Sequence, residues 1–421
     1  MKVIKFLFAF LFLIIFTIGC RNTVKHSRQY QFPNYINTDS KPINFQKKQV
    51  FHTSQGVSAT NNFKGARLNN FVALNDSTFE ATIEPENTPI NPSPWYAFKI
   101  WTDDPKAIYL NFRYSEGKNR YNPKLSYDGD TWIAMKDSSV VQNTPFKVKL
   151  KIGKDTTWIA SQELFTTNDL NKWMATKAVQ VESFKAFEYG KSVLGSPLKG
   201  ATLFENHKEN KELIILMSRQ HPPEITGQLA FLHFVERLLL GDSLCIEFQK
   251  KYQVMVFPMQ NPDGVDLGHW RHNAGGIDLN RDWDKYNQPE TRNMAVYINN
   301  FILKKQAKVV LGLDFHSTWE DIYYTNLSDS ATHYPNFTIN WLNRIKGEIK
   351  GYLPNVAPSA IGQPVSKGWF FVNFNAVGIT YEIGDNTPRE FIKTKSEIAA
   401  EKMMLELLNT LTVIHKQQFK R

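Results

Sequence analysis

The sequence predicts a two-domain chain: an all-β sandwich over residues 55–165, followed over 166–416 by an α/β domain whose sheet carries helices on both faces. Three observations lead there. Segments in the first half alternate apolar and polar side chains, the period of a strand with one buried and one wet face. From about residue 180 short apolar runs alternate instead with stretches of helical periodicity. Turn-forming groups such as Asp103-Asp104-Pro105 and Asp128-Gly129-Asp130 separate the early strands at the short spacing of a sandwich.

The chain opens with a leader-like stretch. Lys2 and Lys5 precede an unbroken apolar run over residues 6–18, shorter than the roughly 18 or more residues a membrane span needs and suited to a signal peptide. It ends in Thr17-Ile18-Gly19-Cys20, which resembles a bacterial lipobox with Cys20 as the lipidated residue; Thr17 stands where Leu is usual, and an uncleaved anchor is the alternative. A lipid-anchored protein of the bacterial cell envelope, periplasmic or outer-membrane, is the expectation for 1–20. Residues 21–54 are polar and aperiodic and read as a tether. Cys245 is the other of the two cysteines, so no intramolecular disulfide is expected once Cys20 is modified. Its apolar neighbours mark it as a core thiol.

In the sandwich, residues 145–152 (PFKVKLKI) set Phe146, Val148, Leu150 and Ile152 against three lysines, and 95–102, 107–114 and 156–160 read as further strands. Trp95, Trp101, Trp132 and Trp158 read as packing groups, with a carbohydrate platform as the alternative. Residues 165–170 form a hinge, Asn168 or Asp169 capping a helix that runs toward Trp173.

In the second domain a strand at 213–217 meets the loop His221-Pro-Pro-Glu224, and a helix follows over 225–240. Strand 253–257 leads into the turn Asn261-Pro262-Asp263-Gly264. Helix 288–304, strand 308–315, strand 376–383 and helix 388–416 complete the pattern. His233 falls among apolar residues of its helix and reads as a core or edge residue. Ligands of such sheets bind beyond strand ends, and that is where the chemistry-bearing residues lie.

His221 and Glu224, three apart and stiffened by two prolines, can aim imidazole and carboxylate at one point. His316, at the end of the 308–315 strand, offers a third donor. Zinc takes N and O ligands of this kind, three from the protein with one position open for catalysis. By itself His-x-x-Glu favours an ordinary loop histidine, since the pattern arises by chance in many chains.

Further along, residues 261–283 read NPDGVDLGHWRHNAGGIDLNRDW. The order HxxE, NPDG, WR, D-x-NR-x-W, distant His and YEIG resembles the zinc carboxypeptidases of family M14. A strand-rich domain ahead of it resembles the cytosolic carboxypeptidase branch, over roughly residues 60–415. The resemblance implies a mixed sheet, one Zn²⁺ ion held by His221, Glu224 and His316, and hydrolysis of the C-terminal bond of peptides or proteins. It makes Glu382 the general base, places Arg271 near the scissile carbonyl, and makes Asp278 the carboxylate behind the first zinc histidine. Asn280 and Arg281 suit a terminal carboxylate, an amide donor beside a planar guanidinium. His269 and His272 match no ligand position. Aligning on Trp369 puts Lys367 at the base of the side-chain pocket, where a cation favours a C-terminal Glu or Asp. The digestive enzymes carry a mobile Tyr ahead of the catalytic Glu; here no Tyr lies between Tyr352 and Tyr381.

Net charge is +10 and the pI about 9.2. The basic residues are scattered and no nucleic-acid motif accompanies them, so nucleic acid is not an expected partner; an anionic substrate or envelope surface fits better. Two other readings stay open: a zinc amidohydrolase of the same fold acting on cell-wall peptides or acyl-amino acids, and a non-catalytic surface binding module. Oligomeric state is not legible.

Overall fold

The computed structural model describes residues 32–204 and 212–418; the leader, Cys20 and the first part of the expected tether lie outside them. From Phe32 onward that stretch is not a free tether. Lys41 N donates to Gly275 O (2.8 Å), Asn44 N to Glu86 O (2.6 Å), and Gln288 Nε2 to Thr38 O (2.8 Å). It straps the two domains together, and its polar aperiodic sequence reflects hydrogen bonding along a surface, a pattern a free linker shares.

The first domain has strands β1 (Val50–His52), β2 (Val57–Thr60), β3 (Asn70–Ala73), β4 (Thr78–Ile83), β5 (Ala97–Thr102), β6 (Lys106–Tyr114), β7 (Lys124–Ser126), β8 (Ile133–Ala134), β9 (Val140–Asn143), β10 (Phe146–Ile152) and β11 (Thr157–Ala160). They form a six-stranded sheet, β1-β2-β5-β11-β7-β8, and a five-stranded one, β3-β4-β6-β10-β9. In β10 the four apolar residues face inward and the lysines outward, as their alternation predicts. Trp95 is buried with its indole donating to Gly65 O (2.7 Å).

Helix α1 (Thr167–Gln180) leads out of the sandwich. Its cap is Thr166 in place of Asn168 or Asp169: Thr166 accepts from Asn168 N while Asp169 reaches back to Thr166 N, a reciprocal capping box. The sequence reading took the second half of that box for the cap.

An eight-stranded mixed sheet follows, built from β12 (Phe184–Lys191), β13 (Pro197–Leu203), β14 (Glu212–Ser218), β15 (Tyr252–Phe257), β16 (Lys308–Thr318), β17 (Ile322–Thr325), β18 (Val356–Pro358) and β19 (Val377–Gly384), in the order β12-β13-β15-β14-β16-β19-β17-β18. Its centre, β15-β14-β16-β19, is parallel. These strands are apolar on both faces because helices cover both. On β14, Ile214 and Leu216 join the core under α2 (Ile225–Leu238) and α8 (Arg389–Gln418), whereas Leu213, Ile215 and Met217 join the core under α5 (Pro289–Lys305) and α7 (Ser366–Phe374). Gly227, in the first turn of α2, presses on β16 so closely that a Cβ there would lie 2.4 Å from His316 O. Glycine is what lets the helix approach that strand.

The domains share a core. Trp270 and Ile225, from the second domain, are buried among the sandwich residues. Between them the turn after α4 (Pro262–Leu267) closes on Gly268, whose positive φ and 2.5 Å approach of a notional Cβ to Ala66 O leave no room for a side chain.

Candidate active site

Parallel strands run their carboxyl ends to one edge, and the sequence-selected residues gather there. β14 ends at Ser218, and Arg219 then adopts a left-handed backbone (φ 59°), uncommon for a non-glycine residue. Its buried guanidinium holds the next turn in place, donating to Pro222 O through Nε (3.1 Å) and Nη2 (2.7 Å). The two prolines and this brace present His221 and Glu224 to the end of β16.

There Glu224 bridges two imidazoles: Oε1 lies 2.8 Å from His221 Nδ1 and Oε2 2.7 Å from His316 Nδ1. All three donors fall within 4.8 Å of one another. Each outer Nε2 meets a second carboxylate, His221 to Asp278 Oδ1 (2.9 Å) and His316 to Asp314 Oδ2 (2.8 Å). Both rings are thereby turned with Nδ1 inward, the arrangement a metal-binding histidine has when an outer carboxylate orients it. Burial opposes ionisation of Glu224, but the two imidazoles and their hydrogen bonds hold its carboxyl well below the usual range. Burial likewise works against the His316 cation, and Asp314 and Glu224 outweigh it. Two imidazole nitrogens and a carboxylate, converging and backed by the Asp278 and Asp314 carboxylates, are a donor set that fits a Zn²⁺ ion in place of the imidazole protons.

Glu382 stands beside them because β16 and β19 are parallel and in register, His316 opposite Glu382. Its Oε2 is enclosed and has no hydrogen-bond partner among the described residues. Burial pushes this carboxyl up to about 8, Glu224 and Asp314 adding to the shift and His316 and Arg271 resisting it. A carboxyl enclosed beside the three donors is placed for proton transfer at that point.

The loop after β15 supplies the rest. Asn261 caps α4 by accepting from Gly264 N and anchors the strand end by donating to Gln220 O. Asp278 links several groups of the site, accepting from Arg271 Nε (2.8 Å) through Oδ2 while Oδ1 meets His221 and accepts from Asn280 N (2.8 Å). Asn280 Oδ1 takes the first amide of α7, Ser366 N (2.9 Å), which leaves its Nδ2 on the imidazole side, 3.5 Å from His316 Nε2. Arg281 is half-buried, donating to Asn280 O (2.8 Å) and lying 3.9 Å from Asp278. Trp283, the end of the motif, is buried against Trp369 and donates to Gln220 Oε1 (2.9 Å).

Lys367 is apart from this cluster. It is buried, and its Nζ donates to Ser359 O (2.5 Å); burial lowers the amine to about 8. His269 and His272 are buried loop residues turned toward the sandwich, His272 Nδ1 lying 2.6 Å from Asn87 Oδ1. His233 is half-exposed beside Glu236. Asp314 carried no assigned role in the sequence reading. Its signal was there in Asp-Phe-His, since residues two apart on a strand share a face. Gln220, which donates to Asp314 Oδ2 (2.6 Å), had no such signal.

Comparison with known proteins agrees with this geometry. The zinc carboxypeptidase family profile, peptidase family M14, matches residues 170–403. Cytosolic carboxypeptidase 6 of Caenorhabditis elegans is 28% identical over 147 residues, 33% of this chain and 32% of its own length. Human cytosolic carboxypeptidase 2 is 23% identical over 288 residues, 60% of this chain and again 32% of its own. The chain thus spans about a third of the length of these relatives. Among solved structures, a metallo-carboxypeptidase from Burkholderia cenocepacia superposes with a TM-score of 0.69 at 17% identity, covering 85% of this chain and 99% of that one. At that identity the likeness concerns the fold, sandwich included.

Proposed function

The chain belongs to the zinc carboxypeptidase family, peptidase family M14, and from that premise we propose that it removes C-terminal residues from peptides or proteins with one Zn²⁺ ion held by His221, Glu224 and His316. What carries this reading is a single arrangement: the His-Glu-His donors, with Glu382 in register beside one of them and the Asn280–Arg281 pair on the same rim. A bound zinc ion would supply Lewis acidity and bring the pKa of a water molecule near 7. Glu382, enclosed and poised, accepts the proton and returns it to the departing amine. Arg271, kept on station by Asp278, donates to the carbonyl oxygen as charge builds on it. Arg281 and the Asn280 amide take the terminal carboxylate, which restricts cleavage to chain ends.

A preference for a C-terminal Glu or Asp is part of the proposal. Lys367 supports it as a buried amine whose one described side-chain partner is a neutral carbonyl; an acidic side chain would give it the missing counter-charge. The leader and Cys20 support an envelope location with a lipid anchor, the body reaching peptide substrates outside the cytoplasm.

The test uses protein from residue 21 onward with bound metal quantified, and peptides differing only in a last residue of Glu, Lys or Phe, with and without chelator. The expected outcome is chelator-sensitive loss of one terminal residue, fastest for Glu. Bound zinc without trimming of any peptide favours an amidohydrolase, and no bound zinc favours a binding module.

A further inference from the structure

Arg271 sits in a loop of the second domain, yet what fixes its backbone comes from the first. Glu86 follows β4 in the sandwich and is fully buried. Its carboxylate accepts three consecutive main-chain N–H groups: Trp270 N on Oε2 (2.7 Å), and Arg271 N (3.0 Å) and His272 N (2.6 Å) on Oε1. Asn87, the next residue, grips the same loop at two more points, donating to Gly276 O (3.1 Å) and meeting His272 Nδ1. Trp270 lies in the sandwich core, edge-on to Tyr114 at 6.4 Å.

Three successive amides turned to one point form a concave anion cradle. Here the anion is a side chain of the neighbouring domain, with the buried Arg67 in Coulombic reach. Arg271 is therefore pinned at both ends, backbone by Glu86 and guanidinium by Asp278.

We propose that Glu86 is a positioning residue for catalysis: by templating residues 270–272 it sets the point from which Arg271 reaches the scissile carbonyl, so the sandwich is a working part of the active site. The inference rests on the carboxypeptidase reading for Arg271's role, while the template itself is a statement about structure. A displacement of about 1 Å at a catalytic group costs on the order of 100-fold in rate. Glutamine is isosteric with Glu86 but offers one acceptor oxygen and turns an NH₂ group toward an amide.

The experiment compares Glu86→Gln, Arg271→Ala and the double variant, all zinc-loaded, with hydrogen exchange at amides 270–272 measured alongside turnover. Glu86→Gln is expected to lower kcat by about 10- to 100-fold with KM within about twofold and zinc content unchanged. It is expected to cost nothing further once Arg271 is alanine, and to deprotect the three amides. Equal losses in both backgrounds, or a loss confined to KM, would overturn the proposal. Should Glu86→Gln fail to fold, Glu86→Asp keeps the charge but is too short for all three amides; an intermediate kcat supports the template, and a wild-type kcat removes it. If the unaltered protein trims no peptide, the carboxypeptidase reading fails separately, and exchange alone decides the template: unchanged protection in either variant refutes it.

Discussion

His316 and Arg271 face the same site from opposite constructions. His316 stands on a central strand, its ring held between Glu224 and Asp314, and Asp314 is itself held by Gln220 and by the Ser366 hydroxyl. Every one of those groups belongs to the second domain, and His316 and Asp314 lie on β16, whose register with its neighbours the sheet dictates. Arg271 stands on a loop and depends on a carboxylate of its own domain at the guanidinium and a carboxylate of the other domain at the backbone. The strand-borne half of the site is thus self-sufficient, and the loop-borne half is assembled across the domain boundary. Metal affinity should rest on the first half together with Asp278, the loop carboxylate behind His221, and turnover should also need the placement of Arg271.

The largest effect should come from Glu382, strand-borne but not a metal donor. Glu382→Gln is expected to reduce kcat by about 10²- to 10⁴-fold while zinc content stays at the wild-type level, read by metal analysis beside initial rates. As the proposed base Glu382 would work when ionised, and burial pushes its pKa up. Wild-type kcat/KM should therefore fall as pH drops through the ionisation of that carboxyl, and the glutamine variant should lack that limb. Zinc lost together with activity would place Glu382 among the donors and blur the division.

Next come the two supporting carboxylates, which test the comparison directly. Asp278→Asn and Asp314→Asn are each expected to weaken zinc binding by about 10- to 100-fold, measured by chelator competition, because each orients one histidine. With zinc saturating they should part. Asp314→Asn should recover kcat to within about threefold. Asp278→Asn should stay about tenfold low, since Asp278 also holds Arg271. Equal recovery of the two would show that the loop half does not depend on Asp278.

The same division explains what could be read beforehand. β10, β14, β16 and β19 were legible because period and burial are local properties of the chain. His221, Glu224 and His316 were legible as candidate donors because they punctuate those runs, whereas Glu382 was singled out only through the family resemblance of its Tyr-Glu-Ile-Gly segment. Asp314 lay in plain view, two residues before His316 on a strand that was itself legible, and its part shows only once the imidazole is seen turned back onto it. The strap from Phe32 and the grip of Glu86 on residues 270–272 were not legible. Both pair residues more than forty positions apart through main-chain groups, which every residue carries and no side-chain pattern announces. Thr166 falls between these cases: the capping box was in the sequence, and only its reading was off by a few residues.

Lys367 offers the smallest effect and the finest test, because it belongs to neither half. It begins α7 beside Ser366, which touches both Asn280 and Asp314, yet its own amine meets the Ser359 carbonyl. Burial lowers that amine to about 8, so it keeps its proton below that pH and loses it above. If the charge selects the substrate, preference for a C-terminal Glu over Gln in kcat/KM should be strongest below pH 8 and fade as pH rises through it, the free enzyme's ionisation being what kcat/KM reports. In kcat the same transition should lie higher, because a bound carboxylate stabilises the ammonium. Lys367→Met keeps the length and removes the charge; it should erase the preference, about tenfold, at every pH. A variant that slows Glu and Gln substrates alike would instead make Lys367 a strut for the Ser359 turn, and specificity would then rest with the rim that the loop and the sandwich build together.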